Sequence, residues 1–180
     1  MAMLIRSIEL NDAENFLELS KEIDESNFML YEPGEKQITV AQQRKIFEKV
    51  LSERNSNFLV AEVEHQLVGF IAALGSNLMR NRHCVHLALG VHENFHGQGI
   101  ATMLFERLFE WAKKQEITRL ELTVIKDNYK AFNLYQKMGF VLEGEKVHSL
   151  IINGEPVNEY YLYKLLSCGY TGREQSNPLG

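Results

Sequence analysis

The 180-residue sequence has little cysteine, little proline and no long apolar run. Its two cysteines, Cys84 and Cys168, form neither a disulfide framework nor a zinc-ligand spacing, which fits a reducing compartment; the expected location is cytoplasmic, and no metal is expected. The longest apolar stretches, such as Leu67–Leu74, have the length of a strand and are far too short to span a bilayer. The first ten residues lack a basic start, an apolar core and a small-residue cleavage site, so neither a signal peptide nor a membrane partner is expected. Positive charge is also in deficit. Nineteen Lys and Arg stand against 24 Asp and Glu, a formal net charge of −5. Bulk attraction to nucleic acid is thereby excluded, and an anionic ligand has to be held by a few local backbone or basic groups.

What is present is the composition of one globular domain, 45% hydrophobic and 24% charged, without repeats or low-complexity segments. A short apolar strand at Leu4–Ile8 leads to a helix carrying Phe16, Leu17, Leu19 and Ile23, with Asn11 as its cap. After a loop at Asn27–Lys36, Thr39 caps a second helix with Ile46, Phe47, Val50 and Leu51 on one side. Phe58–Val63 and Leu67–Leu74 flank Glu64-His65-Gln66 as a hairpin. Cys84–Val91 is the next strand, then a helix from Gln98 to Lys114, a strand at Arg119–Val124 and a helix from Asn128 to Lys137. A strand from Phe140 to Ile152, the turn Asn153-Gly154 and a return strand Val157–Leu165 close the pattern. This order implies a mixed α/β sheet with a parallel pair around the Gln98–Lys114 helix. The domain is expected to span residues 1–166, with 167–180 as a loose tail.

Two segments carry chemistry. The first is a strand, a turn and a helix start, with His96-Gly97-Gln98-Gly99-Ile100-Ala101 at the junction. Two glycines there free several N–H groups beside the positive end of a helix dipole, which makes either a pyrophosphate cradle or simply a packing turn. A Walker loop is excluded because Ile100 and Ala101 follow Gly99, and a dinucleotide fingerprint because a third glycine is missing. In the second segment, Asn128, Ala131 and Tyr135 are spaced by three and four and share a helix face, followed by Gly139-Phe140. Taken alone, Tyr135 reads more readily as a core aromatic with a satisfied hydroxyl than as a functional group.

Together the two segments resemble the GNAT acetyltransferase family. His96–Ala101 falls on its acetyl-CoA pyrophosphate loop and Asn128–Phe140 on its second motif, and the order of elements is similar from about Leu4 to Leu165. The resemblance implies the GNAT fold, an α/β architecture with a mostly antiparallel sheet of about seven strands, a splayed central parallel pair and about four helices. It also implies acetyl-CoA as co-substrate, held by Leu89, Gly90, Val91, His96, Gly97, Gln98, Gly99, Ile100, Ala101, Asn128, Ala131 and Tyr135. In such an enzyme an amine attacks the thioester directly, a backbone N–H near Leu89 polarises its carbonyl, and Tyr135 protonates the departing thiolate. Candidate bases are His83, His86 and Glu121, with Thr123 at a position where relatives often carry Glu. His96 departs from the usual Arg or Gln, and its charge, unlike theirs, varies with pH.

The acceptor side is expected at the Asn27–Lys36 loop and the Asn153-Gly154 hairpin, with Phe28, Tyr31, Tyr160 and Tyr161 as lining or core. Glu62 and Glu93 read as solvated surface. The C-terminal half most resembles bacterial members acting on free amino acids or related small amines. Acetylation of ribosomal-protein N-termini or polyamines, or a non-catalytic acyl-CoA-binding role, are the alternatives. The resemblance is also compatible with a homodimer.

Overall fold

In the computed structural model the described residues are 3–26 and 28–167; Asn27 and the tail predicted beyond Ser167 lie outside them. The chain forms β1 (Met3–Ser7), α1 (Ala13–Asp24), α2 (Val40–Ser52), β2 (Asn57–Val63), β3 (Gln66–Gly75) and β4 (Cys84–Val91). It continues with α3 (Ile100–Lys114), β5 (Arg119–Ile125), α4 (Tyr129–Lys137), β6 (Val141–Ile152) and β7 (Glu155–Leu165).

Local chemistry explains most of these boundaries. The Thr39 side chain accepts from Gln42 N–H while the Gln42 side chain accepts from Thr39 N–H, a reciprocal box that fixes the start of α2. Glu64 and His65 both take positive φ, 50° and 67°, so the β2–β3 hairpin turns on two residues without glycine. Asn153 and Gly154 do the same between β6 and β7. The expected Asn11 cap is corrected. A 3-10 turn, Leu10–Asp12, precedes α1, and Asp12 is the residue that bonds back to Glu9 N–H at 2.7 Å. Asp12 also takes Arg6 bidentately, at 2.7 and 2.8 Å, and Arg6 bonds Glu62 at 2.8 Å. Glu62 is therefore a half-buried partner of β1 rather than free surface.

The seven strands run in the order β1-β2-β3-β4-β5-β7-β6. All pairings are antiparallel except β4 with β5. That parallel contact is short: Cys84↔Arg119, Val85↔Leu120 and His86↔Glu121. Farther along, β4 stays on β3 up to Val91↔Gly69, and β5 stays on β7 up to Ile125↔Glu159. The two central strands thus part after His86 and Glu121, leaving a V-shaped gap whose inner edges lack strand partners.

Two apolar clusters hold the sheet from opposite sides. Phe16, Phe47, Phe58 and Phe70 pack edge to face or stacked, 5.1–5.6 Å between ring centroids, beneath α1 and α2. On the other side α3 buries Ile100, Leu104, Phe105, Leu108 and Ala112 against Val85, Leu87, Leu120 and Leu122. Ile46 and Leu51, expected on the packed side of α2, are instead exposed. Phe28 and Tyr31 are also exposed, so neither fills core.

Arg6 holding Asp12 and Glu62 pins β1 to β2 and to the entry of α1. The guanidinium and the Glu9 N–H hold the Asp12 carboxyl below its ordinary range against the opposing effect of burial. Asp12→Asn should cost about 1–3 kcal/mol at pH 7, as expected for hydrogen bonds to a charged group. Because the folded value is depressed, this contribution is present above the unfolded value near ~3.9 and is lost as pH falls through the folded one. Denaturant melts at pH 7 and pH 3 should show the gap between wild type and variant narrowing in acid.

Candidate active site

The gap between β4 and β5 opens toward the loop that joins β4 to α3. His92 caps a 3-10 turn, Glu93–Phe95, its Nδ1 accepting from Asn94 N–H at 3.1 Å. Its Nε2 lies 3.2 Å from Glu22 of α1, so the end of β4 is tied to the first helix. Gly97 and Gly99 follow with φ of 77° and 79°, values that an L side chain rarely adopts, and a Cβ at either would meet nothing within 4 Å. Glycine stands there for backbone conformation, and the space in front of it is open. The first α-type bond of α3 runs from Met103 N–H to Gly99 O. The N–H groups of Ile100, Ala101 and Thr102 therefore precede the ladder and lie at the positive end of the helix. The helix begins two residues later than Gln98, with Gly99 as its left-handed N-cap.

His96 links this loop to its surroundings. Its Nε2 lies 2.8 Å from Val91 O and its Nδ1 lies 3.1 Å from Lys130 Nζ. A carbonyl only accepts and an ammonium only donates, so both contacts require a neutral imidazole protonated at Nε2. His96 thus fastens the loop to the end of β4 and brings a lysine ammonium beside it.

The second motif is split in its use. Asn128 is the N-cap of α4, its Oδ1 accepting from Ala131 N–H at 3.2 Å, so its side-chain oxygen is committed to the helix. Ala131 is half-buried. Tyr135 is buried, 8% exposed, with its ring edge-on to Phe105 and Phe140 at 5.9 and 6.1 Å. Burial alone pushes its phenol up to about 12, which keeps it protonated throughout the physiological range.

The three candidate bases separate. His83 is not in the strand but in the exposed turn before it, at the closed end of the parallel pair, where its carbonyl accepts from Thr118 and Arg119 N–H. His86 and Glu121 are register partners at the point where the strands part, and both point to the face opposite α3. Glu121 is ion-paired with Arg119 at 3.1 Å, and Arg119 also holds Glu143 at 2.6 Å over the Tyr163 ring. Gly90 is buried. A Cβ there would come within 2.7 Å of Phe70 and 3.0 Å of Ile23, so α1 and β3 close on that side of the strand. Leu89 and Val91 are half-buried along the free edge of β4. Burial and the Glu121 charge push the Cys84 thiol up, which makes it a poor nucleophile.

Sequence reasoning missed Glu159 of β7, 7% exposed, which no motif marks. Lys146 Nζ lies 3.1 Å from its carboxylate. Burial opposes its ionisation, but the Ser149 hydroxyl, Lys146 and the Thr123 hydroxyl hold it below the ordinary range. Alternation along β7 and its pairing with β5 would have placed it beside Thr123, had its burial been foreseen. Asp24 and Lys36 were missed as well. Burial pushes the Asp24 carboxyl up and the Lys36 ammonium down, and Lys36 bonds Ser20 at 2.8 Å over the Phe16 and Tyr31 rings.

Residues 17–140 match the family model described as acetyltransferase (GNAT) family. The L-amino acid N-acetyltransferase AaaT of Escherichia coli (strain K12) is 30% identical over 108 residues, 59% of this chain and 67% of that protein. The spermidine N(1)-acetyltransferase of the same strain is 23% identical over 84% of this chain and 79% of its own. The structure of yncA from Salmonella typhimurium with its cofactor acetyl-CoA superimposes with a TM-score of 0.84 at 15% identity, covering 98% of this chain and all of that one. With the family model spanning most of its length, over the glycine loop and the Asn128–Phe140 helix alike, this chain belongs to the GNAT acetyltransferase family.

Proposed function

We propose that the protein transfers the acetyl group of acetyl-CoA to a small primary amine, a free amino acid or a related compound, by direct attack within a ternary complex. The observation that carries this reading is the gap between β4 and β5, with the Gly97–Gly99 loop and α3 at its mouth and the buried Tyr135 phenol on α4. The residues fit the cofactor. Open space before two positive-φ glycines and free N–H groups at the start of α3 suit a pyrophosphate, and Lys130 beside His96 adds a local cation in a chain whose net charge is −5. Acetyl-CoA supplies the activated thioester. The free edge of β4 at Leu89 and Val91 offers backbone groups to its pantetheine arm, and a backbone N–H near Leu89 stabilises charge developing on the carbonyl oxygen. The 30% identity to an L-amino acid acetyltransferase supports the acceptor class.

Tyr135 is the proton donor to the departing thiolate. A phenol raised to about 12 is never short of its proton, although the transfer is less favourable than from an ordinary tyrosine. His86 and Glu121, where the strands part, are the side chains placed to relay the proton lost by the amine. The protein is proposed to act in the cytoplasm.

Three measurements test this reading. Acetyl-CoA at ~100 times its dissociation constant should stabilise the fold by about 2.7 kcal/mol in a thermal scan, and Gly99→Asp should abolish the shift. Acetyl transfer across a panel of free amines, beside peptides, should find turnover among the small amines; peptides acetylated while every free amine stays inert would remove the acceptor assignment. Tyr135→Phe should lower the turnover rate by ~10²–10⁴-fold with acetyl-CoA affinity and melting temperature nearly unchanged. A tyrosine that only packs would give the reverse pattern.

A further inference from the structure

The first helix ends where the central strands part. Phe16, near the start of α1, packs on Phe58 of β2 and Phe70 of β3, with ring centroids 5.1 and 5.2 Å away. Ile23, near its end, lies against Gly90, where an added Cβ would come within 3.0 Å of the Ile23 side chain. Gly90 belongs to the stretch of β4 that has left β5. α1 thus crosses the sheet from β2 to β4 on the face opposite α3, and its last turn stands at the edge of the gap. Ser20 and Asp24 share one face of that last stretch, a helical turn apart, and both are buried.

The loop between α1 and α2 lays Lys36 over this face. Its ammonium lies 2.8 Å from the Ser20 hydroxyl, 5.6 Å from the centroid of the Phe16 ring and 5.3 Å from that of Tyr31. Among the described residues no carboxylate reaches it as an ion-pair partner, and the Asp24 charge acts on it from farther away. Asp24 accepts no hydrogen bond among the described residues either. Burial therefore dominates both groups, pushing the ammonium down and the carboxyl up, toward a neutral amine beside a carboxylic acid. A desolvated lysine of this kind is a nucleophile, because only the neutral amine has a lone pair. The proposed transfer uses neither residue.

We infer that Lys36 is a site of self-acetylation, its side chain taking the acetyl group from acetyl-CoA bound in the gap between β4 and β5. The Nζ lone pair forms the amide bond to the acetyl carbon, and the carbon–sulfur bond breaks. CoA leaves as a thiolate that Tyr135 protonates, and Asp24 takes the proton that the nitrogen releases. The distance is short. The Phe16 ring under the ammonium packs on Phe70, and Phe70 is the register partner of Gly90. One aromatic layer separates Lys36 from the parted half of β4, within reach of a flexible four-carbon stem released from Ser20. The product carries no charge. It gives up the cation–π contacts with Phe16 and Tyr31, so the loop loses its tether to α1.

This inference rests on the acetyltransferase reading and adds an acceptor within the chain itself. The test incubates the full-length protein with acetyl-CoA and no other amine, and follows each lysine by peptide mass spectrometry. Lys36 should be acetylated at least about tenfold faster than the exposed Lys21 and Lys49, as expected for an amine whose pKa is lower by about one unit. Excess free CoA should remove that advantage while the slow background at Lys21 and Lys49 continues, and Gly99→Asp should do the same. The rate per molecule should not depend on protein concentration. In the protein without acetyl-CoA, an NMR pH series should show the Lys36 amine titrating below those of Lys21 and Lys49. Equal rates at the three lysines, an advantage at Lys36 that survives excess CoA, or titration of Lys36 together with the other two overturns the inference. A rate per molecule that rises with protein concentration overturns it as well, since one copy would then be modifying another. No acetyl-CoA thermal shift in the wild type removes the acetyltransferase reading, and this inference with it.

Discussion

Two parallel strands joined at three residue pairs and then parted are the constraint on which this molecule depends. An opened ladder leaves backbone donors and acceptors without partners, and buried groups of that kind are costly unless another ligand satisfies them. The surroundings make the opening sustainable. Each strand keeps its outer neighbour along its whole length, β3 for β4 and β7 for β5, so only the inner edges are bare. Below the gap, Val85, Leu87, Leu120 and Leu122 remain packed on α3. The phenylalanine cluster under α1 and α2 fixes the outer half of the sheet, and Gly90 lets Ile23 and Phe70 close on the parted strand.

The chemistry inherits that division. The glycine loop, His96, Lys130, Asn128 and Tyr135 come from the β4–α3 connection and from α4. His86, Glu121, Thr123, Glu159 and Tyr161 come from strands and project from the other face. His96 is where the loop and the gap meet, since one imidazole touches both Val91 O and Lys130.

The elements most legible in the sequence were those fixed by local chemistry. Thr39 with Gln42, Asn153 with Gly154, and Gly97 with Gly99 act through backbone torsion or a cap, and neighbours in sequence suffice to read them. The fold followed because the helices and strands alternate around Gln98–Lys114 and because both motifs fall where the family has them. What sequence hid was long-range pairing. Arg6 and Glu62 are 56 residues apart, and nothing near Glu62 announces that it will be half-buried against a guanidinium. Asp12 displaced Asn11 as the capping residue because Arg6 reinforces it from a neighbouring strand. Glu159 stayed invisible for the same reason, its burial being created by β5 and β6 together. His83 stands just before β4, in a turn whose place at the closed end of the parallel pair is decided by the Thr118 and Arg119 N–H groups that donate to its carbonyl.

The sheet also acts as a partition between its two faces. Side chains alternate through it, so a substitution on the Tyr161 face of β7 leaves the residues behind it, Tyr160 against Phe132 and Leu162 in the core, where they were. Either face can therefore change composition, one strand position at a time, without unpacking the other.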